Sequence, residues 1–122
     1  MKIYNGTPHS VDIIANAIYS PAIRKFTGGE IVRSIPSDGA LNVQLDTPET
    51  GVLDGDIPLF VRTILSCDPI PEGHDIIIVS AMYAQAYVDL HGVDDRLYTV
   101  SQPVMTEDGK TFRGCRGLVK FC

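Results

Sequence analysis

Two arginines near the end of the chain are of the residue type that binds phosphate. Arg113 and Arg116 flank Gly114-Cys115 and lie three positions apart. Such residues point to opposite faces of a regular strand, but a bulge at the glycine would let the two guanidinium groups converge. Converging, they would clamp a phosphate through planar bidentate donors; on opposite faces, one would serve its own subunit and the other a neighbour. Two solvated surface arginines are the simpler alternative.

Aromatic rings and a second basic segment extend this pattern. Tyr83 and Tyr87 offer rings on which a nucleobase could stack while the arginines neutralise phosphates. Arg24 and Lys25 precede Thr27-Gly28-Gly29, where two glycines let backbone amides approach an anion. A plain connection between strands is the alternative for this loop. Two basic sites in an acidic chain favour ligand binding over a purely structural role.

The sequence carries no recognised catalytic signature. It lacks the nucleophile elbow, the P-loop, the dinucleotide fingerprint, the HExxH motif and any Cys/His run at metal-ligand spacing. The three histidines are scattered beside predicted turns and helix ends, which is typical of solvated or half-buried side chains. Cys115 has cationic neighbours but no evident base, and adjacent Asp94 and Asp95 fit a solvated loop. We therefore expect binding without catalysis, and no cofactor or metal.

Composition limits the class of protein. The 122 residues, 44% of them hydrophobic, predict a single domain over 1–122. No apolar run approaches the roughly 20 residues of a membrane span, and three unclustered cysteines predict reduced thiols, so we expect a soluble cytosolic protein. A net charge of -5 disfavours DNA or RNA polymers and anionic membranes as partners.

The strongest structural signal is the stretch Asp75–Gly92, whose apolar part begins with Ile76-Ile77-Ile78-Val79. Its four leading β-branched residues predict a strand buried on both faces. Ser80 then suits an N-cap and Gly92 a C-terminal cap, which predicts one principal helix over about residues 80–91. That helix is too apolar to leave one of its faces in solvent, so loops or another subunit must cover its second face.

Three turn signals predict β-hairpins in the rest of the chain. They are centred on Pro36–Gly39, Asp54-Gly55 and Glu107–Lys110. The first should pair Glu30–Ile35 with Ala40–Leu45, and the second should lead into one strand over Ile57–Leu65. Gly114 and Gly117 indicate a bulge or a close approach in the last strand. The fold class expected is α+β, a mostly antiparallel β domain with one principal helix.

Five segments also carry a family resemblance in their order and spacing. They are Met1–Asn5, Ile23–Phe26, Ile78–Ala84, Arg96–Val100 and Gly114-Cys115. In these segments the chain resembles the first-described family of phage Thoeris anti-defence sponges. The resemblance implies a protein without catalytic activity that acts in the host cytoplasm. There it would sequester glycocyclic ADP-ribose, a cyclic ADP-ribose isomer made by bacterial TIR-domain proteins, and so protect the infecting phage.

The same resemblance implies an assembly and two sites. It implies homo-oligomers, with dimers that form hexamers, and a glycocyclic ADP-ribose pocket at the dimer interface. A helix aromatic ring and C-terminal arginines hold adenine and phosphates in such proteins. The matching positions here are Met82, Tyr83, Arg113 and Arg116, and Tyr87 and Asp95 complete the predicted ligand-binding set. A separate site for the cyclic trinucleotides of CBASS defence would use Arg24, Lys25, Thr27, Gly28 and Gly29 around an oligomer axis.

Two other functions remain open from the sequence. One is a small phosphodiesterase or lyase acting on nucleotide second messengers, with His91 or His74 as base. It predicts product formation, whereas a sponge returns its ligand intact. The other is a phage structural or protein-inhibitor module whose helix binds another protein. It predicts a stable protein complex and no small-molecule affinity.

Overall fold

The structure, a computed structural model, describes residues 1–121 and agrees with the α+β expectation. The helix, α1, spans Ala81–His91. The strands are β1 (Ile3–Asn5), β2 (Val11–Ala15), β3 (Ile18–Ser20), β4 (Lys25–Thr27), β5 (Glu30–Ile35), β6 (Val43–Asp46), β7 (Glu49–Leu53), β8 (Ile57–Phe60), β9 (Thr63–Cys67), β10 (Ile76–Ile78), β11 (Leu97–Met105) and β12 (Phe112–Lys120). Among these residues no helix combines the length and apolar character needed to cross a membrane.

The main sheet is forked. Its continuous path runs β1-β10-β11-β12-β2-β5, with β4 added to β11 and β3 added to β4. Its two longest pairs, β11–β12 and β2–β5, are antiparallel, as is β3–β4, while the short pairs β1–β10, β10–β11, β4–β11 and β2–β12 are parallel. Strand β11 pairs with β10 at its start, through Leu97 and Tyr98, and with β4 at its end, through Val104 and Met105. The two ends of β11 therefore lie in different surroundings.

Helix α1 begins and ends as the sequence predicts. The Tyr83 backbone N–H donates to the Ser80 hydroxyl oxygen at 3.1 Å, the expected N-cap bond. At the other end Gly92 has a φ of 91° and its N–H donates to the Val88 carbonyl at 2.9 Å. Both caps satisfy backbone groups that a helix end leaves unpaired.

Strand β10 is buried on both faces, which was also predicted. On one face Ile77 packs with Leu97 and with Tyr83 of α1. On the other Ile78 packs in a second core with Val11 and Cys115. Strands β6 and β9 contact α1, so part of the cover predicted for the helix comes from its own chain.

The first predicted hairpin is wrong. Strand β5 pairs with β2, and β6 pairs with β9 instead of returning along β5. The intervening segment crosses to β1, where the N–H groups of Asp38 and Leu41 donate to the carbonyls of Asn5 and Gly6 at 2.9 and 2.8 Å. These long-range bonds, together with Asp38 Oδ2 accepting from the Asn5 N–H at 2.9 Å, outweigh the local tendency to form a tight turn.

The second turn joins β7 to β8 as predicted, but the strand expected over Ile57–Leu65 is divided into β8 and β9. Strands β6 and β9 form the base of a long ribbon under α1, and β7 and β8 continue it outward. We define residues 49–60 as the arm. Within residues 1–121 the arm strands make no more than marginal contact with any other element.

The third hairpin, β11–β12, is confirmed and contains the predicted irregularity. Val104 pairs with Gly114 and Met105 with Phe112, so Arg113 is the extra residue of a β-bulge. Gly114 also marks a close approach, because a Cβ atom there would lie 2.6 Å from the Asp12 carbonyl oxygen. Gly117 has open space around it instead.

A fully buried asparagine closes the curl of the sheet. Asn5 Nδ2 donates to the carbonyls of His9 and Ile35 at 3.0 and 2.9 Å. Its Oδ1 accepts from the Thr7 N–H at 3.0 Å and from the Thr7 hydroxyl at 2.6 Å. The amide therefore joins β1 to the approach to β2 and to the end of β5.

We predict that Asn5→Ala lowers the free energy of unfolding by about 3 kcal/mol, since it removes the four hydrogen bonds of the buried amide and leaves a small cavity. Urea unfolding followed by circular dichroism measures this. Asn42→Ala is the matched control, because Asn42 is exposed and its amide makes only a 3.4 Å bond to the Ala40 carbonyl. It should change stability by less than about 0.5 kcal/mol. Equal losses in the two variants would contradict the role assigned to Asn5.

Candidate functional site

The two C-terminal arginines converge on strand β4 and the loop that follows it. Arg113, directed by its bulge, donates from Nη1 to the Gly28 carbonyl at 2.8 Å. The Arg116 guanidinium carbon lies 4.6 Å from the centroid of the Phe26 ring, within the range of a cation–π contact. Arg116 also donates to the side-chain oxygen of Gln102. A ring, a glycine loop and two cations thus share one end of the sheet.

This convergence joins two sets of residues that the sequence treated as separate sites. The Lys25 ammonium donates to the Gly109 carbonyl at 3.2 Å, which ties β4 to the turn before β12. Strands β4 and β12 flank the end of β11 on opposite sides, and the Arg113 side chain reaches from β12 to the Gly28 carbonyl. Arg24, Lys25, Thr27, Gly28, Arg113 and Arg116 therefore belong to one region, which we term the basic end.

A polar groove of about 260 Å³ lies beside Arg116. Its lining includes Ser101, Gln102 and Gly117. Gly117 leaves the groove open, since no atom lies within 4 Å of the place its Cβ would occupy. Gln102 has a φ of 57°, an uncommon conformation for a residue with a side chain, and such strain often marks functional positions. Sequence analysis missed Gln102, because nothing in its local pattern signals a positive φ inside a strand.

The helix residues of the predicted site lie elsewhere in the chain. Arg116 lies across from Gln102, whereas α1 packs near Leu97 at the start of β11. From Tyr98 to Gln102 the strand extends roughly 13 Å. Within one chain, the arginines and the helix side chains Met82, Tyr83 and Tyr87 are not brought together.

The structure corrects the stacking role predicted for Tyr83. Its side chain is fully buried in the core, and its hydroxyl donates to the Asp68 carbonyl. Burial, the largest cause, raises the pKa of the Tyr83 hydroxyl, so the group stays a neutral donor. Met82 is 49% exposed, and Tyr87 is half-buried with its ring 4.9 Å from that of His91. Met82 and Tyr87 are therefore the helix residues of the set that solvent reaches.

The two aspartates after the helix have different partners. Arg96 binds Asp94 at 2.7 Å, and its side-chain hydrogen bond lowers the pKa of the Asp94 carboxyl. Asp95 is exposed and lies 3.7 Å from the Lys120 ammonium. The first carboxylate orders the loop, while Asp95 stays accessible at the edge of the molecule.

The remaining reactive groups form no shared centre. Burial raises the pKa of the Cys115 thiol, which makes it a poor nucleophile at neutral pH. Cys67 and Cys115 are free thiols, and Cys122 lies outside the described residues. The His74 ring lies 5.3 Å from that of Tyr4, and its buried Nδ1 has no hydrogen-bond partner in the described part of the chain. Within residues 1–121, no three His, Cys, Asp or Glu side chains cluster as metal ligands would.

Comparisons with protein-family models, curated proteins and solved structures found no match to this chain. The site is therefore interpreted from its own residues: a cation–π pair, a bulged arginine on a glycine loop and an open polar groove.

Adjacent glycines test the loop that supports Arg113. Gly28 and Gly29 both have left-handed backbones, with φ of 71° and 77°. A Cβ at Gly29 would lie 2.5 Å from the Ala15 carbonyl oxygen. A Cβ at Gly28 would meet no atom within 4 Å beyond its chain neighbours. We predict that Gly28→Ala costs about 1 kcal/mol of stability and Gly29→Ala about 3 kcal/mol or more. Chemical denaturation of the two variants gives the comparison, and a larger loss at Gly28 would refute this placement of the loop.

Proposed function

We propose that this chain is a non-catalytic binding protein for cyclic nucleotide signals. In this proposal it binds glycocyclic ADP-ribose and cyclic oligonucleotides and holds them as a sponge. The observation that carries the proposal is the convergence of Arg113 and Arg116 on Phe26 and Gly28 beside an open groove. Cations suit the phosphates of such ligands, and an aromatic face suits a base.

The restraint of these side chains before binding supports tight binding. Arg116 is held by Phe26 on one side and by the Gln102 side chain on the other. Arg113 is held by its bond to Gly28. A side chain already fixed before binding loses less conformational entropy when a ligand arrives, so more of each contact appears as affinity. Sequestration depends on affinity and protein concentration, and it requires no nucleophile.

The basic end favours one binding surface for both ligand classes. Both the residue pattern and the family resemblance predict two separate sites. Lys25 and Gly28 contact the turn and the strand that carry the arginines, so both predicted cation sets share one region. We therefore assign the cyclic trinucleotide to the same end of the molecule as the ADP-ribose isomer, with Arg113 and Arg116 rather than Arg24 and Lys25 as its phosphate contacts.

The helix half of the pocket requires a second copy. Met82 and Tyr87 lie too far along the sheet from Arg116 to touch the same ligand in one chain. A symmetric dimer that juxtaposes α1 of one copy with β12 of the other would complete two identical pockets. On this proposal the protein is a homo-oligomer, with dimers assembling into hexamers, and works in the host cytoplasm to block Thoeris and CBASS signalling during phage infection.

Calorimetric titration with glycocyclic ADP-ribose tests the function. We expect saturable binding, and chromatography of the material released by heating should recover the ligand intact. Recovery of an altered nucleotide would replace the sponge with a phosphodiesterase or lyase. If no heat of binding appears at protein and ligand concentrations of about 100 µM, which would saturate a site of micromolar affinity, nucleotide binding is rejected.

Single arginine variants test the residues. Arg113→Ala and Arg116→Ala should each weaken binding about tenfold to a hundredfold, the effect of losing one charge-assisted contact of about 1 to 3 kcal/mol. The control is Lys2→Ala, which removes the same charge from an exposed side chain away from the basic end. It should leave affinity within about twofold. Unchanged affinity in both arginine variants would remove them from the site.

A further inference from the structure

The arm carries apolar side chains on both of its faces. Leu53 pairs with Ile57 and Val52 with Pro58, and successive cross-strand pairs of a ribbon point to opposite faces. Val52 is 57% exposed and Phe60 59% exposed. The arm therefore presents apolar surface on two sides, with no substantial cover from the rest of residues 1–121.

Such a ribbon is poorly stable alone. An isolated two-stranded hairpin is marginal in water, and exposed apolar patches of several hundred Å² usually mark interaction surfaces. The arm would be stabilised if a second surface packed against it.

The charge of the arm indicates the chemistry of the surface that would pack against it. Residues 49–60 contain Glu49, Asp54 and Asp56 and no basic residue. Within residues 1–121 none of these three carboxylates forms an ion pair. A complementary partner is accordingly apolar and basic.

This chain has such a surface at the basic end. Within residues 1–121, strand β3 is an edge strand that pairs only with β4, and its residues Ile18 and Tyr19 are 72% and 49% exposed. Arg24 and Lys25 follow β3 after three intervening residues and are exposed. We define these four residues as the β3 corner. It combines apolar side chains with positive charge, as the arm combines apolar side chains with negative charge.

The arm and the corner of one chain lie at different ends of the fold. The arm continues the β6–β9 ribbon, which contacts α1 near the start of β11. The corner is joined through β4 to Val104 and Met105 at the end of β11, roughly 20 Å or more along the strand. A second copy can supply the corner that its own chain cannot.

We propose that the arm of one copy docks on the β3 corner of a second copy. Asp54 and Asp56 then approach Arg24 and Lys25, while the arm strands cover Ile18 and Tyr19. Every copy carries one arm and one corner, so the contact forms a reciprocal dimer, a closed ring or an open head-to-tail filament. Arg24 and Lys25 serve the neighbour in this arrangement, and Arg113 and Arg116 stay with the ligand. The contact does not depend on ligand binding.

Charge exchange between the two surfaces tests the docking. The arm variant carries Asp54→Lys and Asp56→Lys, and the corner variant carries Arg24→Glu and Lys25→Glu. Sedimentation velocity without ligand should show self-association at least tenfold weaker for each variant than for the unaltered protein. An equimolar mixture should associate again, because the reversed arm meets the reversed corner and the native arm meets the native corner. Glu72→Lys, at an exposed carboxylate outside both surfaces, should associate as the unaltered protein does.

Three results would overturn the docking. The unaltered protein could sediment as a monomer at tens of micromolar, which would leave the arm for a different partner. The corner variant could associate normally, which would place the arm against another surface, such as a second arm. The mixture could stay dissociated although each variant unfolds at the same denaturant concentration as the unaltered protein. Calorimetry with the ligand remains a separate readout, so each proposal can fail alone.

Discussion

The fold depends on one buried side chain, the amide of Asn5. Burying an amide is unfavourable unless its donors and acceptor are paired, and Asn5 pairs both with backbone and side-chain groups. Those bonds bring the end of β5 back to β1 and curl the sheet around the core that contains Ile78 and Cys115. The chain after β5 is then held against β1 and leaves toward β6, where it forms the ribbon under α1. Local turn preference is overruled by this closure.

Strand β11 determines where function can reside. Its start lies in the helix core and its end carries β4, so the helix and the arginines occupy opposite parts of the same strand. The two ends of β11 therefore differ in packing and exposure. The helix end is packed, with Tyr83 as a core residue, whereas the β4 end leaves Arg116 exposed over the Phe26 ring. A pocket that uses both parts needs more than one copy of the chain.

The proposed association and the proposed ligand binding both use positive charge, in a chain whose net charge is -5. Arg113 and Arg116 are fixed by hydrogen bonds and by the ring of Phe26, which suits a small anion that must be held tightly. Arg24 and Lys25 lie next to apolar side chains on an edge strand, which suits a protein surface. The two pairs of cations thus differ in their surroundings, and their proposed ligands differ accordingly.

The sequence by itself determined the features whose causes are local. Residue order alone predicts the buried strand and the capped helix after it. It also predicts two of the hairpins and the close approach at Gly114. Tertiary structure decided the path of residues 36–42, the burial of Tyr83 and the union of the two basic segments. Each of these depends on partners far away in the chain: the Asn5 amide, the Asp68 carbonyl and the pairing of β4 with β11. Spacing along a sequence shows which residues share a face of one element, but not which distant element that face will meet.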